Sequence, residues 1–197
     1  MKGDYAKALE HYNKSLEITT KITGADSIDV ATLNNIRNVY QNKGDYAKAL
    51  EYYNTCLEIL TKIKGADSIE DAITLNNIGV VYKNRGDYAK ALEHFNKCLE
   101  IKAKIKGTDS IDVAKTLNNI GTLYGKKGDN AKALEHFIKF LEIITKIKGA
   151  DSIDVAIALK NIGLVYENRR DYAKALEHYE KSLEIKTKIF GKDSRKS

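Results

Sequence analysis

The chain has 197 residues, 43% apolar and 30% charged, a balance that folded proteins share and that excludes wholesale disorder. Lys and Arg number 33 against 27 Asp and Glu, a net charge of +6, and there is neither a run of 18 apolar residues nor a charged-then-apolar leader, so no membrane span or signal peptide is expected. Two cysteines cannot frame a disulfide-stapled fold, and proline is absent where ordinary usage would supply roughly ten, which with abundant Ala, Leu, Lys and Glu predicts an all-helical chain.

In chain order, the pattern predicts a lone helix at about 5–22 and then four helix pairs, nine helices in all. No segment alternates with period two, so no strand is expected. The pairs follow from internal repetition. The string Gly-Asp-Tyr-Ala-Lys-Ala-Leu begins at Gly3, Gly44 and Gly86, and the equivalent aspartates Asp4, Asp45, Asp87, Asp129 and Asp171 lie 41, 42, 42 and 42 residues apart. Residues 66–107 and 108–149 agree at 28 of 42 positions. The expected organisation is one array over 1–197: a half repeat at 1–24, full repeats at 25–65, 66–107, 108–149 and 150–191, and a tail at 192–197.

Within 66–107, the first helix is expected from Ile69 to about Asn84, with Ala72, Leu75, Ile78, Gly79 and Tyr82 along one stripe. The second is expected from Tyr88 to about Ile105, with Ala91, Leu92, Phe95, Cys98, Leu99, Ile101 and Ile105 doing the same. Gly86-Asp87 punctuates the first joint. Gly107-Thr108-Asp109-Ser110 punctuates the second, with Asp and Ser as N-cap candidates. Neither helix can bury its stripe alone, so each pair must stack on its neighbours.

The series Leu75, Ile78-Gly79, Tyr82, Gly86, Tyr88, Ala91, Phe95 and Cys98 resembles the tetratricopeptide-repeat signature. The usual unit has 34 residues; here the second helix is longer by about two turns and a Gly-Ala-Asp-Ser-Ile-Asp connector is added. That 42-residue form, with its Leu-Asn-Asn-Ile core, resembles the repeats of kinesin light chain. The resemblance implies an all-α, right-handed superhelical solenoid of antiparallel helix pairs. It also implies a non-enzymatic scaffold that binds a partner segment in the concave groove lined by the first helix of each repeat.

Some positions depart from the pattern. The first full repeat is one residue short before Thr32, and it carries Arg37 where its siblings have Gly79, Gly121 and Gly163. In the family that glycine permits close approach of the neighbouring helix, so the packing at Arg37 is expected to differ. Asn130 replaces the tyrosine of the other units, and Arg170 replaces the turn glycine. Holding an arginine in a left-handed turn costs about 1 kcal/mol, so that joint is expected to relax instead.

His11, His94, His136 and His178 are one repeat position copied four times. Equivalent positions in stacked repeats stand two helix layers of about 8–10 Å apart, too far to share a metal at about 2.1 Å. Cys56 and Cys98 share a small slot held elsewhere by Ser15, Ser182 and Phe140, and are expected to be reduced core residues, which fits a cytoplasmic setting. No nucleophile–base pair, phosphate loop or acid pair stands out, so neither catalysis nor a cofactor is expected. Lysines interleave with glutamates, as in Lys90, Glu93, Lys97, Glu100 and Lys104, which describes a solvated helix face and not a nucleic-acid stripe.

The asparagines ask for a reason, because asparagine is a mediocre helix former. Asn35, Asn77, Asn119 and Asn161 recur on the first helices, preceded by Asn34, Asn76, Asn118 and Lys160. The resemblance implies that the second of each pair holds the backbone of an extended peptide, since an amide both donates and accepts. The alternative is that these residues tie one helix to its neighbour. Specificity would come from positions that differ between units: Asn38, Val80, Thr122 and Leu164; Ala31, Ile73, Lys115 and Ile157; and Lys83, Lys126 and Glu167 near the helix ends. Lys115, Lys126 and Lys160 tilt the C-terminal half towards acidic ligands. A protein or peptide partner is expected, with no nucleic acid or membrane. The competing expectation is a structural array that stacks end to end or dimerises, because the pattern shows no polar cap at either end.

Overall fold

The structure is a computed structural model that describes residues 2–23 and 30–193. Among these residues there are nine helices and no strand: α1 (Lys2–Thr23), α2 (Val30–Lys43), α3 (Tyr46–Lys64), α4 (Ile69–Arg85), α5 (Tyr88–Lys106), α6 (Ile111–Lys126), α7 (Asn130–Lys148), α8 (Ile153–Asn168) and α9 (Tyr172–Asp193). The expected helices are present, with α4 and α5 each running one residue past their expected ends. The shortening before Thr32 falls largely in 24–29, outside the described residues.

The chain divides into two compact units, 1–101 and 102–197. In the first, α1 packs on α2, α2 on α3 and α3 on α4, and Ile36, Tyr40, Ala49, Tyr53, Ile78 and Val81 form a buried cluster. Ala72 and Leu75 of α4 meet Cys98 and Ile101 of α5 in a second cluster there. In the second unit α6 packs on α7, α7 on α8 and α8 on α9, while Ala133, Phe137, Ile162 and Val165 form the core. Most residues predicted to line helix stripes thus remove apolar surface from water, the main force holding such stacks together, but Ile105, expected on the α5 stripe, is 48% exposed.

Local chemistry sets the ends of these helices. Ser68, Ser110 and Ser152 cap α4, α6 and α8, each hydroxyl accepting from the backbone N–H three residues on. Asp45, Asp87, Asp129 and Asp171 do the same for the second helices. The connector aspartates have another use: Asp109 accepts from Lys146 at 2.5 Å, and Asp151 accepts from Lys188.

The joint at Arg170 corrects an expectation. Arg170 has φ +60°, close to the +77°, +83° and +79° of Gly44, Gly86 and Gly128, so the turn has not relaxed. Its N–H donates to the Glu167 carbonyl at 2.9 Å, and the Asp171 N–H donates to the Tyr166 carbonyl at 2.9 Å, matching the bonds at Gly44 and Asp45. These bonds and the Asp171 cap outweigh a left-handed strain of about 1 kcal/mol.

Candidate functional site

The first and second helices of a repeat touch where glycine meets an aromatic ring. A Cβ added at Gly79, Gly121 or Gly163 would lie 2.8, 2.9 or 2.6 Å from a ring carbon of Phe95, Phe137 or Tyr179. In the first full repeat, Arg37 replaces this glycine and lays its guanidinium over the Tyr53 ring, 4.2 Å from the centroid. Arg37 is only 7% exposed, and its Nε and Nη1 have no hydrogen-bond partner. Burial lowers the guanidinium's affinity for its proton and raises the pKa of the Tyr53 hydroxyl.

In two repeats the ring carries a hydroxyl that bonds the first helix. The Tyr53 hydroxyl donates to Gln41 Oε1 at 2.9 Å, and the Tyr179 hydroxyl donates to Glu167 Oε2 at 2.5 Å. Burial, then the Glu167 bond and charge, pushes Tyr179 up to about 12. Phe137 has no hydroxyl to donate, and the residue in register with Gln41 and Glu167, four before the capping aspartate, is Gly125. The space that a longer side chain would occupy is a cavity of about 240 Å³, bounded by Thr122, Gly125 and Lys126 on α6, Phe137 on α7, and Asn161 and Leu164 on α8.

Thr122, Asn161 and Leu164 are sequence-predicted site residues that the fold brings together at this cavity. Asn119 is half-buried on α6, whereas Lys115 on α6 and Lys160 on α8 are exposed and do not line the cavity. In the first unit Asn35 and Asn38 are exposed on α2, and Asn77 and Val80 are half-buried on α4. Ala31 lies among residues whose side chains are not described. Asn161 Nδ2 donates to Asn118 Oδ1 at 2.8 Å, so the helix-to-helix tie weighed as the alternative is present in this pair. It uses one amide N–H and leaves the Asn161 oxygen and second N–H outside that bond. Asn34 instead accepts a weak bond from the Cys56 thiol at 3.9 Å.

Sequence reasoning missed Gly125 and Phe137. Lys126, expected as the variable position near the first-helix end, is in register with Asn84 and Asn168; the counterpart of Lys83 and Glu167 is Gly125. Counting back from the capping aspartates would have shown Gly125 in the place of Gln41, Lys83 and Glu167, twelve residues before a ring that, like Phe95, lacks the hydroxyl of Tyr53 and Tyr179.

The histidines hold local structure. Nδ1–H of His94, His136 and His178 donates to the carbonyl four residues back at 2.8 Å, and their rings lie 5.3–5.4 Å from Tyr82, Tyr124 and Tyr166. Cys56 and Cys98 are free and buried. Among the described residues no group of three or more His, Cys, Asp or Glu side chains is placed to hold a metal ion, and no helix is long and apolar enough to cross a membrane.

Antiparallel helix hairpins of nearly constant length, capped by the same serines and aspartates, define a helical-repeat protein. The tetratricopeptide-repeat family model matches residues 29–104 and 112–188, and the chain belongs to that family, whose members generally act as protein-interaction scaffolds. A search of curated proteins finds no match. Among solved structures, the chain is similar to BtubC (BKLC) from P. vanneervenii, with TM-score 0.85, 23% identity and coverage of 96% of this chain and 76% of that one. It is also similar to a putative kinesin light chain with nearly identical TPR-like repeats from Podosopora anserina, with TM-score 0.80, 17% identity and coverage of 95% and 90%. A third similar structure is MamA, with TM-score 0.66, 20% identity and coverage of 96% and 93%. At these identities the likeness establishes the TPR-like solenoid fold.

Proposed function

We propose that the protein is a non-enzymatic scaffold that binds an extended segment of a partner protein along the first-helix faces within a unit. The observation that supports this most is that Thr122, Asn161 and Leu164, singled out by repeat register and the family resemblance, line one cavity, and that Asn161 is held there by Asn118. A fixed amide offers a donor and an acceptor to a main chain whatever its sequence, while the differing neighbours select side chains. Asn119 extends this series on α6, with Lys115 and Lys160 as flanking charges; Asn35, Asn38, Asn77 and Val80 are the corresponding set in the first unit. A ligand that must order on binding is held with modest affinity.

The test is to select binders from a displayed library of random 12-residue peptides and compare wild type with Asn119→Ala/Asn161→Ala. Circular dichroism confirms that the variant folds. Each lost hydrogen bond is worth about 1 kcal/mol, so selected peptides should bind the folded variant at least about tenfold more weakly. Equal affinity rules out the asparagine contacts, and a selection that yields no binder rules out the groove.

A second reading rests on α9, where Leu176, Leu183 and Phe190 are 58–65% exposed while Leu50 and Leu92, the counterparts of Leu176, are buried. Such a stripe supports self-association with a second copy. Light scattering behind gel filtration should then show a mass that rises with concentration and falls to monomer in Leu176→Glu/Leu183→Glu. A wild-type monomer at every concentration overturns this reading.

A further inference from the structure

The first-helix face of the repeat at 108–149 has an opening that the repeats at 25–65 and 150–191 fill with their own side chains. In the repeat at 25–65, Gln41 takes the hydroxyl proton of Tyr53, and in the repeat at 150–191, Glu167 takes that of Tyr179. In the repeat at 66–107 the ring is Phe95 and the residue in register is Lys83, whereas in the repeat at 108–149 the ring is Phe137 and that residue is Gly125, so of the four full repeats only this one has no side chain there. A glutamine or glutamate left beside Phe137 would lose its partner, so their joint absence keeps the cavity floor apolar.

Gly125 has no conformational need to be glycine. It lies inside α6, its φ is not positive, and an added Cβ would meet only the Ala133 Cβ at 4.0 Å. It departs from the tightly packed Gly121 one turn earlier, where a Cβ would stand 2.9 Å from the Phe137 ring. A glycine inside an exposed helix costs about 1 kcal/mol relative to alanine. Neither the backbone nor the packing within the chain accounts for it.

From this we infer that the Gly125 cavity is a side-chain pocket that receives one bulky apolar residue, aliphatic or aromatic, from the partner segment; the inference rests on the groove reading above. The size fits, since a cavity of about 150 Å³ with apolar walls already holds benzene, and this one is about 240 Å³. The Phe137 ring faces the guest on one side and Leu164, 42% exposed, on the other. Asn161 stands at the same cavity to engage the guest's backbone. Lys126 is the only charged side chain in the lining, and the next residue is Lys127, so the occupant's flank is acidic and not basic.

The experiment is peptide display on wild type and on Gly125→Gln, the residue that the 25–65 repeat uses. Because glutamine is the better helix former, the variant should melt at the same temperature as wild type or higher. Peptides selected on wild type should share one Leu, Met or aromatic position beside an acidic residue. They should bind Gly125→Gln about tenfold to a hundredfold more weakly. Wild-type peptides without a shared apolar position, or with equal affinity for stable Gly125→Gln, overturn the pocket while leaving the groove. Absence of any selected peptide overturns both.

Discussion

The α2–α3 and α6–α7 hairpins are built from the same repeat and solve the same contact in opposite ways. In α6–α7 a glycine lets the Phe137 ring come within 2.9 Å of where a Cβ would be, and a second glycine one turn on leaves a cavity beside it. In α2–α3 the first position is Arg37, stacked on Tyr53, and the second is Gln41, bonded to the Tyr53 hydroxyl. One hairpin is full of its own side chains; the other has room for a guest. Near-identical repeats therefore need not have equivalent surfaces: two glycines and one missing hydroxyl separate a closed face from an open one.

Transplanting the closed solution into the open hairpin should have the largest effect. Gly121→Arg forces a long side chain where even a Cβ crowds Phe137, and urea unfolding should show a loss of about 3 kcal/mol. A loss below about 0.5 kcal/mol would mean that the hairpin can reopen freely. The reverse manipulation is milder. Arg37→Met keeps the bulk over Tyr53 but removes a buried charge whose Nε and Nη1 are unpartnered, and should stabilise the protein by about 1 kcal/mol. Destabilisation would show that the stacked guanidinium is worth more than its desolvation.

At the Arg170 joint, Arg170→Gly relieves a left-handed arginine and should raise stability by about 1 kcal/mol, measured by the same unfolding. The smallest effect is at Tyr179. Its hydroxyl keeps its proton up to about 12 when folded against an ordinary value of 10, so the neutral form is favoured by the fold. The stabilisation is fully present below pH 10 and is lost as pH rises towards 12. Because solvent screens this pair, the change should stay below about 0.5 kcal/mol, and Glu167→Gln should reduce it in alkaline unfolding curves.

The helices were legible in the sequence because apolar spacing and glycine-aspartate joints repeat in register, and local rules decide both. The proposed groove positions came from register together with the resemblance, which implies that the first helices line a groove; the fold brings three of them, Thr122, Asn161 and Leu164, to one cavity. Arg170 was misjudged because strain at one residue was weighed without the two backbone bonds and the aspartate cap that hold the joint. Gly125 was missed because its meaning lies in a partner twelve residues away. Only with Phe137 beside it does the glycine become a cavity and not a helix flaw.

The most direct test of the account is a double-mutant cycle by titration calorimetry. It pairs wild type and Gly125→Gln with a selected peptide and the same peptide carrying alanine at its shared apolar position. If that side chain lies in the pocket, each change alone should weaken binding about tenfold or more, and the two together little further. Strictly additive losses would place the apolar side chain elsewhere and contradict the pocket.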